Sequence, residues 1–249
     1  MASSTTIIFY DIPNAKKAPW SPNTWKARYA LNYKGIPYKT EWVEYPDIKS
    51  LCLKIGAAPT SEKTYGRPVY TLPVIYDPST KRAISESAAI AKYLDETYPD
   101  TPALFPPGTD ALQSVFLDAV WTTVGLPLFM NLILDSCTSL APRSQEYFRT
   151  TREVYFGKPL EQLGGKEDWT ALEAGLDKVD GWLSANGAGK DELFMGDKVC
   201  FSDLQLAGFL IWARIIFGED SADWKRIAGW HGGKWKRIVE FFDKFAAQD

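Results

Sequence analysis

The side chains best suited to chemistry in this sequence gather at Ser21-Pro22, where a hydroxyl stands at the predicted start of a helix. Serine is favoured as a helix N-cap because its oxygen accepts from unpaired first-turn N–H groups, and Pro22 suits the first helical position, where no donor is needed. A helix N-terminus carries partial positive charge, so an anion, a thiolate included, can be held beside such a hydroxyl. Read alone, the pair is more simply an ordinary cap. The other reactive types are sparse. Cys52, Cys137 and Cys200 are widely separated, have no C-x-x-C spacing for metal or dithiol chemistry, and fit a reducing compartment. His231 is the single histidine, in a Gly-rich turn near the C-terminus and expected at the surface. A zinc site with several His ligands is therefore excluded, and a Ser-His-Asp triad would depend on that one residue.

The elements around Ser21 follow from local patterning. Residues 6–10, TIIFY, read as a buried first strand running into a loop with Pro13, Asn14 and Pro19. The helix from Pro22 stops at Gly35, before Ile36-Pro37, after about three and a half turns. Residues 38–45, YKTEWVEY, make a second strand, and a β-α-β unit favours parallel pairing. Ile48, Leu51, Cys52 and Ile55 form the stripe of a short helix, which places Cys52 in the core. Residues 57–70 read as an irregular surface loop. A hairpin follows, with strands 73–77 and 81–85 about the turn Asp77-Pro78-Ser79-Thr80. The next helix, 86–98, has Ile90, Tyr93, Leu94 and Thr97 on one face and Glu86 in its first turn, where it complements the dipole.

Residues 99–108, with Pro99, Pro102, Pro106, Pro107 and Gly108, read as a stiff linker between domains 1–98 and 109–249. Beyond it the patterns are helical at roughly 109–136, 143–160, 168–186, 202–218 and 234–246, with Pro127 kinking the first. The fold class is α/β followed by all-α. Across all 249 residues, 28 basic and 31 acidic side chains give a net charge of -3, which offers no footprint for nucleic acid or an anionic membrane. Aromatics make up 14%, including 10 Trp, enough to leave rings free to line a cavity for flat apolar ligands. The start MASSTT lacks a signal-peptide pattern, and the apolar run Leu204 to Phe217 is interrupted by Gln205 and Arg214, so a soluble, cytoplasmic protein is expected.

A thioredoxin-like α/β domain followed by an all-helical one resembles the cytosolic glutathione transferases, and particular residues carry the likeness. In SPNTWKARYALNYKGI, Ser21 stands where the similar zeta-class motif has its catalytic serine and the omega class has cysteine followed by proline. Trp25, Arg28, Ala30, Leu31, Lys34 and Gly35 continue the match, and the run looks most like the etherase-related fungal transferases with a serine active site. Leu72-Pro73 matches the family's cis-proline, whose preceding residue pairs backbone to backbone with the cysteine portion of glutathione. Glu86-Ser87 matches the Glu/Gln-Ser pair that looks like the site for the γ-glutamyl group. One departure is Cys200, which stands at the capping position of GDKVCFSDLQLAGFL with Asp203 three residues on. Because cysteine is a poor acceptor, Ser202 or Asp203 is expected to stabilise that helix start.

The resemblance implies a transferase that uses glutathione as co-substrate, needs no metal and forms a homodimer. Ser21 would donate to the glutathione sulfur, with Asn23 either a second donor or a solvated turn residue. The acceptor site is expected between the domains near Trp121, Phe129 and Met130, taking small hydrophobic or aromatic electrophiles such as aryl ethers or hydroperoxides. Lys63, Arg67 and Tyr70 are all within reach of the glycyl carboxylate. A ligandin-like binding protein for aromatic compounds, with a vestigial glutathione groove, is the alternative, since fold alone does not decide activity.

Overall fold

An almost continuously buried run makes β1 (Ile7–Asp11) an inner strand of a four-stranded sheet in the order β2-β1-β3-β4. The computed structural model of the protein describes residues 6–61 and 67–248. β2 (Tyr38–Trp42) pairs parallel with β1, Ile7 opposite Tyr38, as the intervening helix requires. It ends earlier than its composition suggests, because Pro46 turns the chain into a single 3-10 turn, Tyr45–Asp47. β3 (Val74–Asp77) runs antiparallel to β1, with Phe9 opposite Ile75, and β4 (Arg82–Ser85) closes the expected hairpin. Buried Asp77 accepts from the backbone and hydroxyl of Ser79 in the turn and from the hydroxyls of Tyr93 and Tyr98, which ties the hairpin to α3 (Ser87–Thr97). α2 (Ile48–Ile55) buries Ile48 and Cys52, as its stripe predicts.

α1 (Pro22–Tyr33) is buried on nearly every side from Thr24 to Leu31, because α3 and α8 (Phe201–Phe217) both cover it. That burial takes in a charge. The Arg28 Nη2 lies 2.9 Å from Asp11 Oδ2, with both side chains fully buried, and Nη1 donates to the Tyr38 hydroxyl at 3.0 Å. The guanidinium also lies 5.1–5.9 Å from the ring centroids of Phe9, Trp25, Tyr38 and Trp42. One ion pair thus fixes α1 against two strands. Its Nε has no hydrogen-bond partner among the described residues, and the aromatic faces lie against the cation there.

The segment expected as a linker is held through its middle. Lys34 Nζ binds Asp95 at 2.6 Å and the Pro102 carbonyl at 2.9 Å, while the Asp95 carboxylate accepts the N–H groups of Leu104 and Phe105. Leu104 and Phe105 are buried, and the Leu104 carbonyl receives the Phe201 N–H.

The helical run expected at 109–136 is α4 (Asp110–Val120), a π-helical turn Trp121–Gly125, and α5 (Leu126–Thr138). The irregularity lies immediately before Pro127 and takes in Thr123, whose carbonyl is the one an N–H at position 127 would have served, so it falls where the expected kink belongs. At Gly175 on α7 (Lys166–Ser184) a Cβ would come 1.9 Å from the Thr123 carbonyl oxygen, so glycine lets α7 press directly on that turn. Asp110–Thr138 has the length and composition of a membrane span, but its helices pack on α7 and α8 in the bundle. α6 (Pro142–Phe156) ends at Gly157, which takes the left-handed conformation, sooner than the expected 160.

Two expectations need correction at the C-terminus. α9 (Ala222–Asp243) begins twelve residues before the predicted 234, capped by the Ser221 hydroxyl, and it breaks across Trp230–Gly233. His231 is half-buried in that break, not a surface residue. Its Nδ1 accepts from Trp235 Nε1 at 2.9 Å and its Nε2 meets Asp177 at 2.8 Å, which uses both ring nitrogens structurally. At the start of α8, Asp203 does what the sequence left to it or Ser202: its carboxylate accepts the N–H groups of Cys200 and Phe194 at 2.7 and 2.8 Å. Burial pushes that carboxyl up to about 6 against the pull of those two donors.

Asp11→Ala, which strands a buried guanidinium, is expected to lower stability by about 3–5 kcal/mol in urea unfolding. The double variant Asp11→Leu with Arg28→Met should be more stable than either single variant. Additive losses in the double variant would show that the pair is not the constraint described.

Candidate active site

Ser21 occupies the N-cap position of α1 with extended backbone (φ -69, ψ 128) and is 4% exposed. Its carbonyl serves the helix, accepting from Trp25 N–H at 3.0 Å and the Thr24 hydroxyl at 3.1 Å. Its own hydroxyl makes no capping bond. Ser21 thus holds the cap position without the side-chain bond that the simpler cap reading requires. Gly208 of α8 sets how closely this end of α1 is packed, since a Cβ there would lie 2.9 Å from the Pro22 carbonyl oxygen.

Ser21 lines an interdomain cleft of about 840 Å3, and so do Asn23, Leu72, Trp121 and Phe129. Asn23 is exposed in the first turn of α1. Trp121 reaches the cleft from the π-helical turn, and Phe129 lies 6.0 and 6.2 Å, centroid to centroid, from Phe156 and Trp212. Met130 does not line the cleft. One residue further along α5 turns it about 100° from Phe129, onto the core. The opposite wall is α6, which the sequence reading did not assign: Tyr147, Thr151, Arg152, Tyr155 and Phe156 face the cleft there. Neither heptad nor alternating patterns identify such residues, because they converge only when α6 packs against the Tyr45–Asp47 turn.

The floor is formed by the segment that ends at the Leu72–Pro73 cis peptide, as expected from the motif. Leu72 is buried, yet its backbone N–H and C=O have no partner among the described residues. An unpaired strand-like segment is the geometry to which an extended peptide can add. Arg67 and Tyr70 also line the cleft, whereas Lys63 lies outside the described residues.

Glu86 and Ser87 lie at the start of α3, outside the lining of this cleft. Glu86 is exposed and has φ +77, a conformation rare for any residue with a Cβ, and Ser87 is buried as the first residue of the helix. The sequence reading missed Lys26. It is buried, without an ion pair among the described residues, 5.6 Å from the Phe209 ring centroid. Burial pushes its amine down to about 8, with the Glu86 carboxylate opposing. No group of three or more His, Cys, Asp or Glu side chains among the described residues is arranged to hold a metal ion. The three cysteines are buried free thiols, and burial raises each above the ordinary thiol range.

Residues 17–102 match the glutathione S-transferase N-terminal domain, and residues 111–245 match the glutathione S-transferase C-terminal domain. The chain belongs to the glutathione S-transferase family. It is similar to the glutathione S-transferase-like protein ustS of Aspergillus flavus, 33% identical over 252 residues covering 93% of this chain and 86% of the relative. Among solved structures it superposes on glutathione transferase GSTFuA3 of Phanerochaete chrysosporium with a TM-score of 0.96 and 53% identity, over 99% of this chain and 100% of that one. A glutathione S-transferase of Ceriporiopsis subvermispora, solved in complex with glutathione, gives 0.93 and 49% over 98% and 99% of the two chains. The transferase is thus of a fungal type, and glutathione is its family's co-substrate.

The strain at Glu86 in this transferase is measurable. A positive φ costs on the order of 1–3 kcal/mol at a residue with a Cβ, against about 0.5–1 kcal/mol for the extra freedom of unfolded glycine. Glu86→Gly should therefore unfold at a higher urea concentration than Glu86→Ala, by about 1 kcal/mol in stability. Equal midpoints for the two variants would mean that no strain is held there.

Proposed function

We propose that this transferase activates glutathione through Ser21 and delivers it to small aromatic or apolar electrophiles, aryl ethers and hydroperoxides among them, held in the interdomain cleft. The observation that carries the reading is a buried hydroxyl at a helix N-terminus, on the cleft wall, that caps nothing. Free thiols titrate near about 8.5, so little thiolate exists at neutral pH unless the anion is stabilised. The Ser21 O–H donates to the sulfur while the α1 terminus adds positive potential, and both act without a proton leaving the serine. Asn23 supplies a second donor on the same turn.

The tripeptide lies along Leu72-Pro73, with its cysteine portion bonded to the free Leu72 backbone. Its γ-glutamyl end meets Glu86 and Ser87, and its glycyl carboxylate meets Arg67 or Tyr70. Trp121 and Phe129 form the acceptor side. The exposed apolar residues Leu112 and Val115 on α4, 72% and 71% accessible, support a homodimer through that face. Sedimentation should give about twice 28.0 kDa, and a mass of 28.0 kDa at micromolar concentration would exclude the dimer. A cytoplasmic setting accords with three unpaired cysteines.

The aromatic content of the cleft also favours a second reading, a ligandin-like role in which aromatic compounds are bound and not turned over. Glutathione-dependent turnover across aryl ethers, isothiocyanates and hydroperoxides separates the two. Ser21→Ala should lower kcat/KM by on the order of 10²–10³ and move the pH–rate profile toward higher pH, with glutathione affinity largely kept. Ser87→Ala should instead raise KM for glutathione with kcat little changed, because it holds a remote end of the ligand in ground and transition states alike. In Ser21→Cys, the new thiolate should attack glutathione disulfide, forming a mixed disulfide and releasing one glutathione, visible by intact mass. An unchanged profile in the Ala variant, together with no adduct on the Cys variant, would return Ser21 to a structural role.

A further inference from the structure

We infer that Arg152 makes the acceptor side of the cleft selective for flat aromatic molecules carrying a carboxylate. This inference rests on the acceptor-site reading above and adds the substrate class. α6 carries three arginines, and two are neutralised. Arg143 is held by the Asp47 carboxylate, and Arg149 binds Glu153 and Glu161, each at 2.9 Å. Arg152 lines the cleft and has no carboxylate partner among the described residues. Its guanidinium carbon lies 4.2 Å from the Phe148 ring centroid and 5.1 Å from that of Tyr45. Aromatic faces therefore position the cation where a counter-ion would otherwise do so. Its one hydrogen bond among the described residues is from Nη1 to the Thr151 hydroxyl at 2.8 Å.

A half-buried guanidinium with most of its planar fork uncommitted is matched by a carboxylate, which accepts two parallel N–H bonds from it. Among the described residues no Asp or Glu lines the cleft to compete for it, and the other charged lining residue is Arg67. In the proposed function Arg67 stands with Tyr70 on the tripeptide's side of the cleft, and Arg152, on α6, on the side of the second molecule. Tyr45 and Tyr147, stacked on each other at 6.0 Å with their planes 16° apart, both line the cleft beside it, so an aromatic body has ring surface to pack on there. Both requirements, a ring system and an acid, meet at one place.

The test compares anthracene-9-carboxylate with 9-anthracenemethanol, binding being read by fluorescence while S-methylglutathione fills the tripeptide groove. Wild type should bind the acid at least tenfold more tightly than the alcohol. Arg152→Met, which keeps the apolar stem, should lose at least tenfold of that preference, and Arg152→Lys should retain only part of it, having the charge without the fork. The ratio of the two affinities is insensitive to a general loosening of α6, and the urea midpoint of each variant checks its folding. A preference that survives in Arg152→Met would overturn the inference, as would equal weakening of acid and alcohol, which would mark Arg152 as mere support for Tyr45. Wild type that binds the alcohol and shows no preference for the acid would sink the Arg152 assignment alone. Failure of both ligands to bind wild type would remove the acceptor-site reading and this inference together.

Discussion

The geometry of the candidate site depends on the buried pair between Arg28 and Asp11. Ser21 stands less than two turns before Arg28 on the same helix, so anchoring Arg28 to the end of β1 fixes where the helix begins. A buried ion pair is a poor source of net stability, because desolvation offsets much of the attraction. Its value lies in geometry: the fork also reaches Tyr38 on β2, so rotation or sliding of α1 would break contacts to two strands at once. A purely apolar contact, which is non-directional, would allow the helix to shift.

The second domain completes what the pair begins. Gly208 lets α8 approach the Pro22 carbonyl, and Asp203 holds the start of that helix by two buried N–H bonds. The chain also returns at its C-terminus to the first domain, where Asn32 binds the carbonyls of Phe245 and Ala247. The α1 terminus is thus held from the sheet side by charge and from the helical side by close packing. A hydroxyl on such a rigid element can be aimed at a ligand atom without the entropic loss of ordering a loop.

The two ends of the site are built differently. At the Leu72–Pro73 segment the resource is backbone without a partner among the described residues, to which an extended peptide can add whatever its side chains. At the other wall the resource is side chains, aromatic rings and a lone guanidinium on α6, which discriminate by shape and charge. This division suits an enzyme with one constant co-substrate and a variable partner, since the wall that varies can be rebuilt by substitution without disturbing the backbone that does not.

Local chemistry determined much of this protein from its sequence alone. The start of α1 at Pro22, the β-α-β unit and the hairpin about Asp77 follow from turn and φ preferences that act over a few residues. The Leu72-Pro73 cis peptide immediately precedes β3, and Glu86-Ser87 stands at the start of α3. Tertiary structure decided the rest. The structural role of His231 depends on Asp177, fifty-four residues away. The π-helical turn meets α7 at Gly175, where no side chain would fit, and Met130 leaves the cleft by a single residue of helical rotation. Arg152 became visible only when its two sister arginines were seen to be paired and it was not. Charge pairing and cleft lining join residues distant in the chain, and no periodicity in a single sequence records which of several like side chains has found its partner.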